Sequence, residues 1–289
     1  MATQEPFEII GNHAVRRFDS VRGLIDYGMA LPEAEQYRTK SGRKCGHTWV
    51  YGTVYKTRAA TLEALNFGKT TPRILESAAQ LSRNIVAAFD ASDTTGMTTR
   101  RLPVWSDYGD EADADRVLER HERPWRTSRR GKTARVIRIG VNIALSCGNS
   151  EESWARLIGT ACGIADAISR LGHGSEIVGM MAIEWGSQPP MAPTTRYAAY
   201  LWPVKSATEP MDIERVGSLG IPGLFRDFGF EALERDNPAD ICKGYARIDE
   251  ATLKEAAGVD YLITQSWFGM EQAQLFQGIT EILGEELEA

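Results

Sequence analysis

Between Arg116 and Arg138 the chain carries Arg116, Arg120, Arg123, Arg126, Arg129, Arg130, Lys132, Arg135 and Arg138, against only Glu119 and Glu122. The local net charge is +7, which leaves −13 for the rest of a chain whose total is −6. Guanidinium groups pair bidentately with phosphate, and a neighbouring indole can stack on a base. Arg116, Arg120, Arg123, Trp125, Arg126, Arg129, Arg130 and Lys132 are therefore candidate contacts of a nucleic-acid site, with DNA as one partner. A second use of the same residues stays open. The run can be a connector whose arginines pair with the chain's own surplus carboxylates. An overall pI near 5.4 argues against a chain wholly dedicated to nucleic acid. Asp107, Asp110, Asp113 and Asp115 lie just ahead of the run. They could bind a metal or mimic phosphates, and the simpler reading is a solvated face or partners for the arginines.

Little else in the sequence has the spacing of a reaction centre. His13, His47, His121 and His173 stand apart from any serine or cysteine nucleophile motif. Cys45, Cys147, Cys162 and Cys242 show no paired spacing, and only Cys45 and His47 lie close together, so zinc is not expected. No glycine fingerprint follows a strand and no Walker lysine is present, so no cofactor is expected. The expectation is a chain that is not an enzyme.

The elements that must position these residues read differently in the two halves. Phe18 to Leu31, Thr61 to Phe67 and Pro72 to Phe89 have helical spacing, and His47 to Tyr55 could form a short strand. Residues 1–115 are expected to be a mainly helical region, and 116–134 an Arg-rich connector. From 135 to 289 an α/β domain is expected. Arg135 to Leu145 is β-branched and nearly continuous in apolar residues, as a strand buried on both faces would be. Asn149 follows as a helix cap, with Glu152 three residues on. The helix carries Gly159 and Gly163 four apart, which would let it sit close to the sheet. Ser175 to Trp185 and Arg196 to Lys205 are strands joined by a short Pro-rich turn, so an antiparallel edge hairpin is expected. Helices are expected near 210–219, 222–234 and 250–256, a strand at Asp260 to Thr264, and a closing helix at Glu271 to Leu287. In such a sheet the crevice beyond the strand ends is the default ligand position. Ser146, Asn149 and Ser150 line it, and the helix end could take a phosphate or carboxylate. The alternative is that Asn149 simply caps the helix.

The 289 residues, 43% hydrophobic and 25% charged, suit a globular protein rather than a disordered one. No apolar stretch is long enough for a membrane span, and the first residues do not read as a signal peptide. A cytoplasmic location is expected, with no membrane contact.

A parallel sheet whose second and third strands form an antiparallel hairpin resembles the von Willebrand factor A domain, a Rossmann-like fold. The phrases VIRIGVNIALS and LGHGSEIVGMMAIEW carry that likeness. More narrowly, ALNFG, GDEADADRVLERHERPW, VKSATEPMDIERV and FRDFGFEALER resemble a family of proteins from tailed phages and mobile elements. The likeness runs from about Phe18 to Glu234 and implies host cytoplasm if the chain is phage-encoded. The metal motif of a von Willebrand A domain, laid on this chain, puts its first aspartate on Asn142. Its serines fall on Ala144 and Ser146, and its distal aspartate on Gln265. Amides replace both carboxylates, so a hard cation such as Mg²⁺ is expected to bind poorly and the site to be degenerate. The resemblance implies a protein-interaction module, with an AAA-type ATPase or a phage polymerase as the class of partner. The alternative is a nucleic-acid-binding factor in phage transcription, replication or packaging, using Arg116 to Arg138.

Overall fold

The computed structural model describes residues 7–30, 54–66, 71–90, 102–106, 111–112, 114–118, 124–129, 135–145, 149–185, 194–236 and 248–266. Its frame is a mixed six-stranded sheet. The strands are β1 (Glu8–Ile10), β2 (His13–Arg17), β6 (Val136–Asn142), β7 (Gly174–Glu184), β8 (Tyr197–Lys205) and β9 (Tyr261–Ile263), in the spatial order β1-β2-β8-β7-β6-β9. Neighbours β6 and β7 are parallel, as are β6 and β9 and also β2 and β8. The pairs β7–β8 and β1–β2 are antiparallel.

The β7–β8 hairpin is thus antiparallel as expected, but it does not form the edge. Strand β2 adds alongside β8, His13 opposite Tyr197 and Arg17 opposite Leu201, and β1 extends the sheet further. The sheet's middle therefore falls at β8 and β7, with β6 one strand from the other edge. The sheet draws on both halves of the chain. Besides its helices α1 (Val21–Met29), α2 (Arg58–Asn66) and α3 (Pro72–Asp90), the segment before residue 115 supplies β1 and β2. The short strand expected at 47–55 lies outside the described residues except for Val54 and Tyr55, which are not strand.

Strand β6 departs from the expectation of burial on both faces. Ile137, Ile139 and Val141 are buried on one face, whereas Val136 and Arg138 on the other are exposed. That face becomes covered only from Gly140 onward, where Val259 and Leu262 lie against it.

Helix α5 (Glu151–Arg170) follows β6 and covers one sheet face with Trp154, Leu157, Ile158, Ala161, Ile164, Ala165 and Ile168. The alternation in β7 and β8 divides the core. Ile177, Met181, Ile183, Tyr200 and Trp202 face the α5 side, while Met180, Ala182, Ala199 and Leu201 face α8 (Glu250–Ala257). Gly159 and Gly163 do not bring α5 down on the sheet. They meet α3, where a Cβ on Gly159 would lie 2.7 Å from the Ala78 carbonyl oxygen and one on Gly163 2.8 Å from Ile85 Cβ. The glycine pair sets a close helix–helix approach instead.

After β8 come α6 (Ile213–Gly217), a 3₁₀ turn (Ser218–Gly220), a π-helix (Leu224–Gly229) and α7 (Phe230–Asp236). The π-helix buries Phe225, Asp227 and Phe228. Arg58 from α2 neutralises this segment, bonding both carboxylate oxygens of buried Glu231 and lying 3.7 Å from Asp227. The closing helix expected at 271–287 lies outside the described residues.

The connector is built otherwise than expected. A second, three-stranded antiparallel sheet has the order β3-β5-β4, from β3 (Leu102–Ser106), β4 (Glu111–Ala112) and β5 (Trp125–Arg129). Helix α4 (Ala114–Leu118) holds Arg116, and Arg129 ends a strand. Ladder pairing of the β5 backbone with two neighbours explains this, since strand formation there does not depend on the apolar content of β5 itself.

Candidate functional site

Strands β6 and β9 run parallel in register, Val141 beside Ile263, so their C-terminal ends open at the same end of the sheet. Asn142 stands at that end and is buried. Its Oδ1 accepts from the backbone N–H of Ala144 at 3.2 Å and of Ala182 at 3.0 Å. The amide oxygen is thereby committed to bracing the chain beyond β6 against β7. Ser146 lies outside the described residues.

Helix α5 begins at Glu151, with Ser150 as its N-cap residue, and the Ser150 side chain makes no capping bond. The cap expected at Asn149 is therefore displaced by one residue. Asn149 is used differently. Its Nδ2 lies 3.5 Å from Gln265 Oε1 across the strand ends, and its carbonyl accepts from Arg226 Nη2 at 3.3 Å. The Arg226 guanidinium stacks 4.6 Å from the Trp154 indole. Asn149 and Gln265 are half-buried and Ser150 is exposed, so the strand ends are polar and uncharged at these positions.

On the far side of β9, Thr264 Oγ1 donates to Glu250 Oε1 at 2.5 Å and Ser266 Oγ donates to the same oxygen at 2.9 Å. The Ser266 backbone N–H donates to Thr264 Oγ1 at 3.2 Å. These bonds clamp the chain after β9 to the first residue of α8.

Two of the positions aligned with a metal motif, Asn142 and Gln265, thus carry amides that are turned to protein partners. Among the described residues no group of three or more His, Cys, Asp or Glu side chains could hold a metal ion. The amide oxygens present do not fit Mg²⁺, which prefers anionic oxygen ligands.

The basic run ends at the opposite end of β6, about 20 Å away at the rise of a strand. There Arg135 lies 3.9 Å from Asp260, and Arg138 pairs with Glu176 at 2.9 Å. His173 Nδ1 accepts from the Arg135 backbone N–H at 3.2 Å, a structural use of that ring. Arg120, Arg123, Arg130 and Lys132 lie outside the described residues, as do His47, His121, Asp107, Asp110, Asp113, Cys45, Cys147 and Cys242. Trp125 is partly exposed on β5. Cys162 is buried in α5, and burial pushes its thiol up to about 12, so it is an inert core group.

Residues 2–286 match the family described as Domain of unknown function (DUF7192). The chain belongs to that family. No curated protein and no solved structure matches it. Among the described residues no helix is long and apolar enough to cross a membrane.

Sequence reasoning did not find Arg226, Glu250, Thr264 or Ser266 as site residues. The phrase FRDFGFEALER held a usable signal. Its charges alternate with phenylalanines so closely that no amphipathic register keeps every charge in water.

Proposed function

We propose that the chain is a non-enzymatic interaction module on a von Willebrand factor A-like sheet, receiving a partner protein at the ends of β6 and β9. Support comes from the strand order β8-β7-β6-β9, in which only the β7–β8 pair of the four is antiparallel. The observation that carries the reading is the meeting of Asn149 and Gln265 across two parallel strand ends. Crevices of this kind are where open α/β sheets take their ligands. With amides there in place of carboxylates, the partner is held by hydrogen bonds without a bridging cation. An AAA-type ATPase or a phage polymerase is the class of partner this reading implies.

A photo-reactive residue in place of exposed Ser150 tests it. The expected result is a discrete cross-linked protein that Gln265→Arg abolishes and a metal chelator leaves intact. An adduct that survives Gln265→Arg, or that the chelator removes, would overturn the reading.

A further inference from the structure

Helix α8 is lightly attached to the sheet. It buries three side chains, Leu253, Ala256 and Ala257, over Val15, Met180, Ala182, Ala199 and Leu201. Helix α5 on the other face buries thirteen residues. The ends of α8 are fixed by polar groups instead. At its C-terminal end the Arg17 guanidinium donates to the carbonyls of Ala256 and Ala257 at 3.3 and 3.4 Å. At its N-terminal end Asp249 caps the helix, accepting from the Thr252 N–H at 3.4 Å. The next residue, Glu250, takes the hydroxyls of Thr264 and Ser266.

Strand alternation puts His13 on the same face of β2 as Val15 and Arg17, toward α8. The ring is fully buried and stacked on Tyr197, and among the described residues neither ring nitrogen has a partner. Asp249 is the charged group whose field reaches it. The charges on the elements around it are otherwise engaged. Glu8 of β1 pairs with Arg17 at 3.5 Å, and Glu184 of β7, opposite Tyr197, pairs with Arg196 at 2.8 Å. Lys254 and Glu255 of α8 are exposed. Burial holds the ring neutral below its ordinary pKa of 6.5, with Asp249 opposing.

We infer that His13 is a proton-triggered release for α8. Its protonation detaches the helix from the sheet and opens the Glu250 clamp on Thr264 and Ser266, while the α5 side stays packed. An imidazolium has two N–H donors and a charge where the neutral ring has one donor. Buried without acceptors, it is strongly disfavoured. The carboxylate able to answer it is that of Asp249, which caps α8. If Asp249 turns to the ring, α8 loses its cap. If it stays, the ion remains buried and unpaired. Either way the first turn of α8 is loosened, and Glu250 lies in that turn. The thin apolar contact of α8 makes it the element that gives way. The device does not depend on any partner at the strand ends.

The test is hydrogen exchange by mass spectrometry on the full chain at pH 7 and pH 5, with rates corrected for their intrinsic pH dependence. Peptides spanning 249–257 and 259–266 should exchange faster at pH 5. The rise should reach up to about tenfold for each pH unit below 6.5, as linkage to one proton allows. Peptides of α5 should stay protected. His13→Phe keeps a stacked ring that does not titrate, and should abolish the rise. Asp249→Asn keeps a capping side chain and removes the charge that favours the imidazolium, so its rise should be at least as large. This exposed substitution keeps the test open if His13→Phe fails to fold. No faster exchange of α8 in acid would overturn the inference. So would a rise that persists in His13→Phe, a rise lost in Asp249→Asn, or α5 opening together with α8.

Discussion

Arg16 and Asp236, 220 residues apart in the chain, form a buried ion pair at 3.0 Å. Asp236 also accepts from the hydroxyls of Tyr27 and Tyr200, each at 2.5 Å. The Arg16 guanidinium lies 4.2 Å from the Phe7 ring and 4.7 Å from the Tyr27 ring. One carboxylate thus ties β2 and β8 of the sheet to α1 and α7. Asp236→Ala leaves a guanidinium and two hydroxyls facing each other in the core, and should cost about 3–5 kcal/mol. Tyr200→Phe removes a single bond to a charged acceptor and should cost about 1.5–3 kcal/mol. Urea titration measures both. A loss below about 1 kcal/mol for Asp236→Ala would mean the cluster is not needed to dock the N-terminal strands.

A pH dependence follows from His13. The ring is fully buried, stacks on Tyr197 with centroids 4.9 Å apart, and neither nitrogen has a hydrogen-bond partner. Burial lowers its pKa below the ordinary 6.5, and the Asp249 carboxylate at the start of α8 opposes this only in part. The unfolded chain therefore binds the proton more readily than the folded one. Stability is full above pH 6.5 and falls as the pH drops from there toward the depressed folded value. His13→Phe keeps the stacked ring and removes the titration. The stability difference between pH 7 and pH 5.5 should be smaller in the variant than in the parent. Equal differences would show that His13 takes no part.

The close approach of α5 to α3 gives a prediction of sign as well as size. Alanine gains up to about 1 kcal/mol of helix propensity over glycine. At Gly159 the new Cβ would meet the Ala78 carbonyl oxygen at 2.7 Å and its Cα at 3.0 Å, which are backbone atoms that cannot step aside. At Gly163 it would meet Ile85, whose Cδ1 can turn away though its Cβ cannot. Overpacking of about 1–3 kcal/mol outweighs the propensity gain. Both Gly→Ala variants should melt below the parent, Gly159→Ala by more. A rise in melting temperature for Gly159→Ala would show that the helices do not pack this closely.

Strands β7, β8 and β9 were legible because they are short, largely apolar runs bounded by turn residues. Strand β2 was not, because His-Ala-Val-Arg-Arg reads as polar. It enters the sheet by pairing with β8 and β1, and Asp236, 220 residues further on, neutralises the Arg16 that this buries. The same holds for β5, whose strand character comes from two ladders rather than from its composition. At the crevice, Asn142, Asn149 and Gln265 were findable because each lies at a fixed distance from a recognisable strand. Arg226 and Glu250 act through partners 77 and 14 or more residues away, and spacing cannot reveal those pairings.

Negative charge placed at the ends of β6 and β9 should create a cation site that the parent chain lacks. In the parent chain Asn142 Oδ1 holds two backbone N–H groups, and Gln265 turns toward Asn149. Neither supplies the anionic oxygen that Mg²⁺ requires, so calorimetry should find no site tighter than about millimolar. The triple substitution Asn142→Asp, Ala144→Ser, Gln265→Asp places two carboxylates and a hydroxyl at the ends of adjacent parallel strands. An aspartate at 142 can still accept from Ala144 and Ala182, since a carboxylate accepts as an amide oxygen does. The variant should therefore fold and bind Mg²⁺ or Mn²⁺ at least about tenfold more tightly than the parent, because the ligand set then includes the charge a hard cation needs. A micromolar site in the parent would overturn the degenerate reading. A folded triple variant with no gain would mean the ends of β6 and β9 lack the von Willebrand A arrangement, and the proposed partner site would lose its main support.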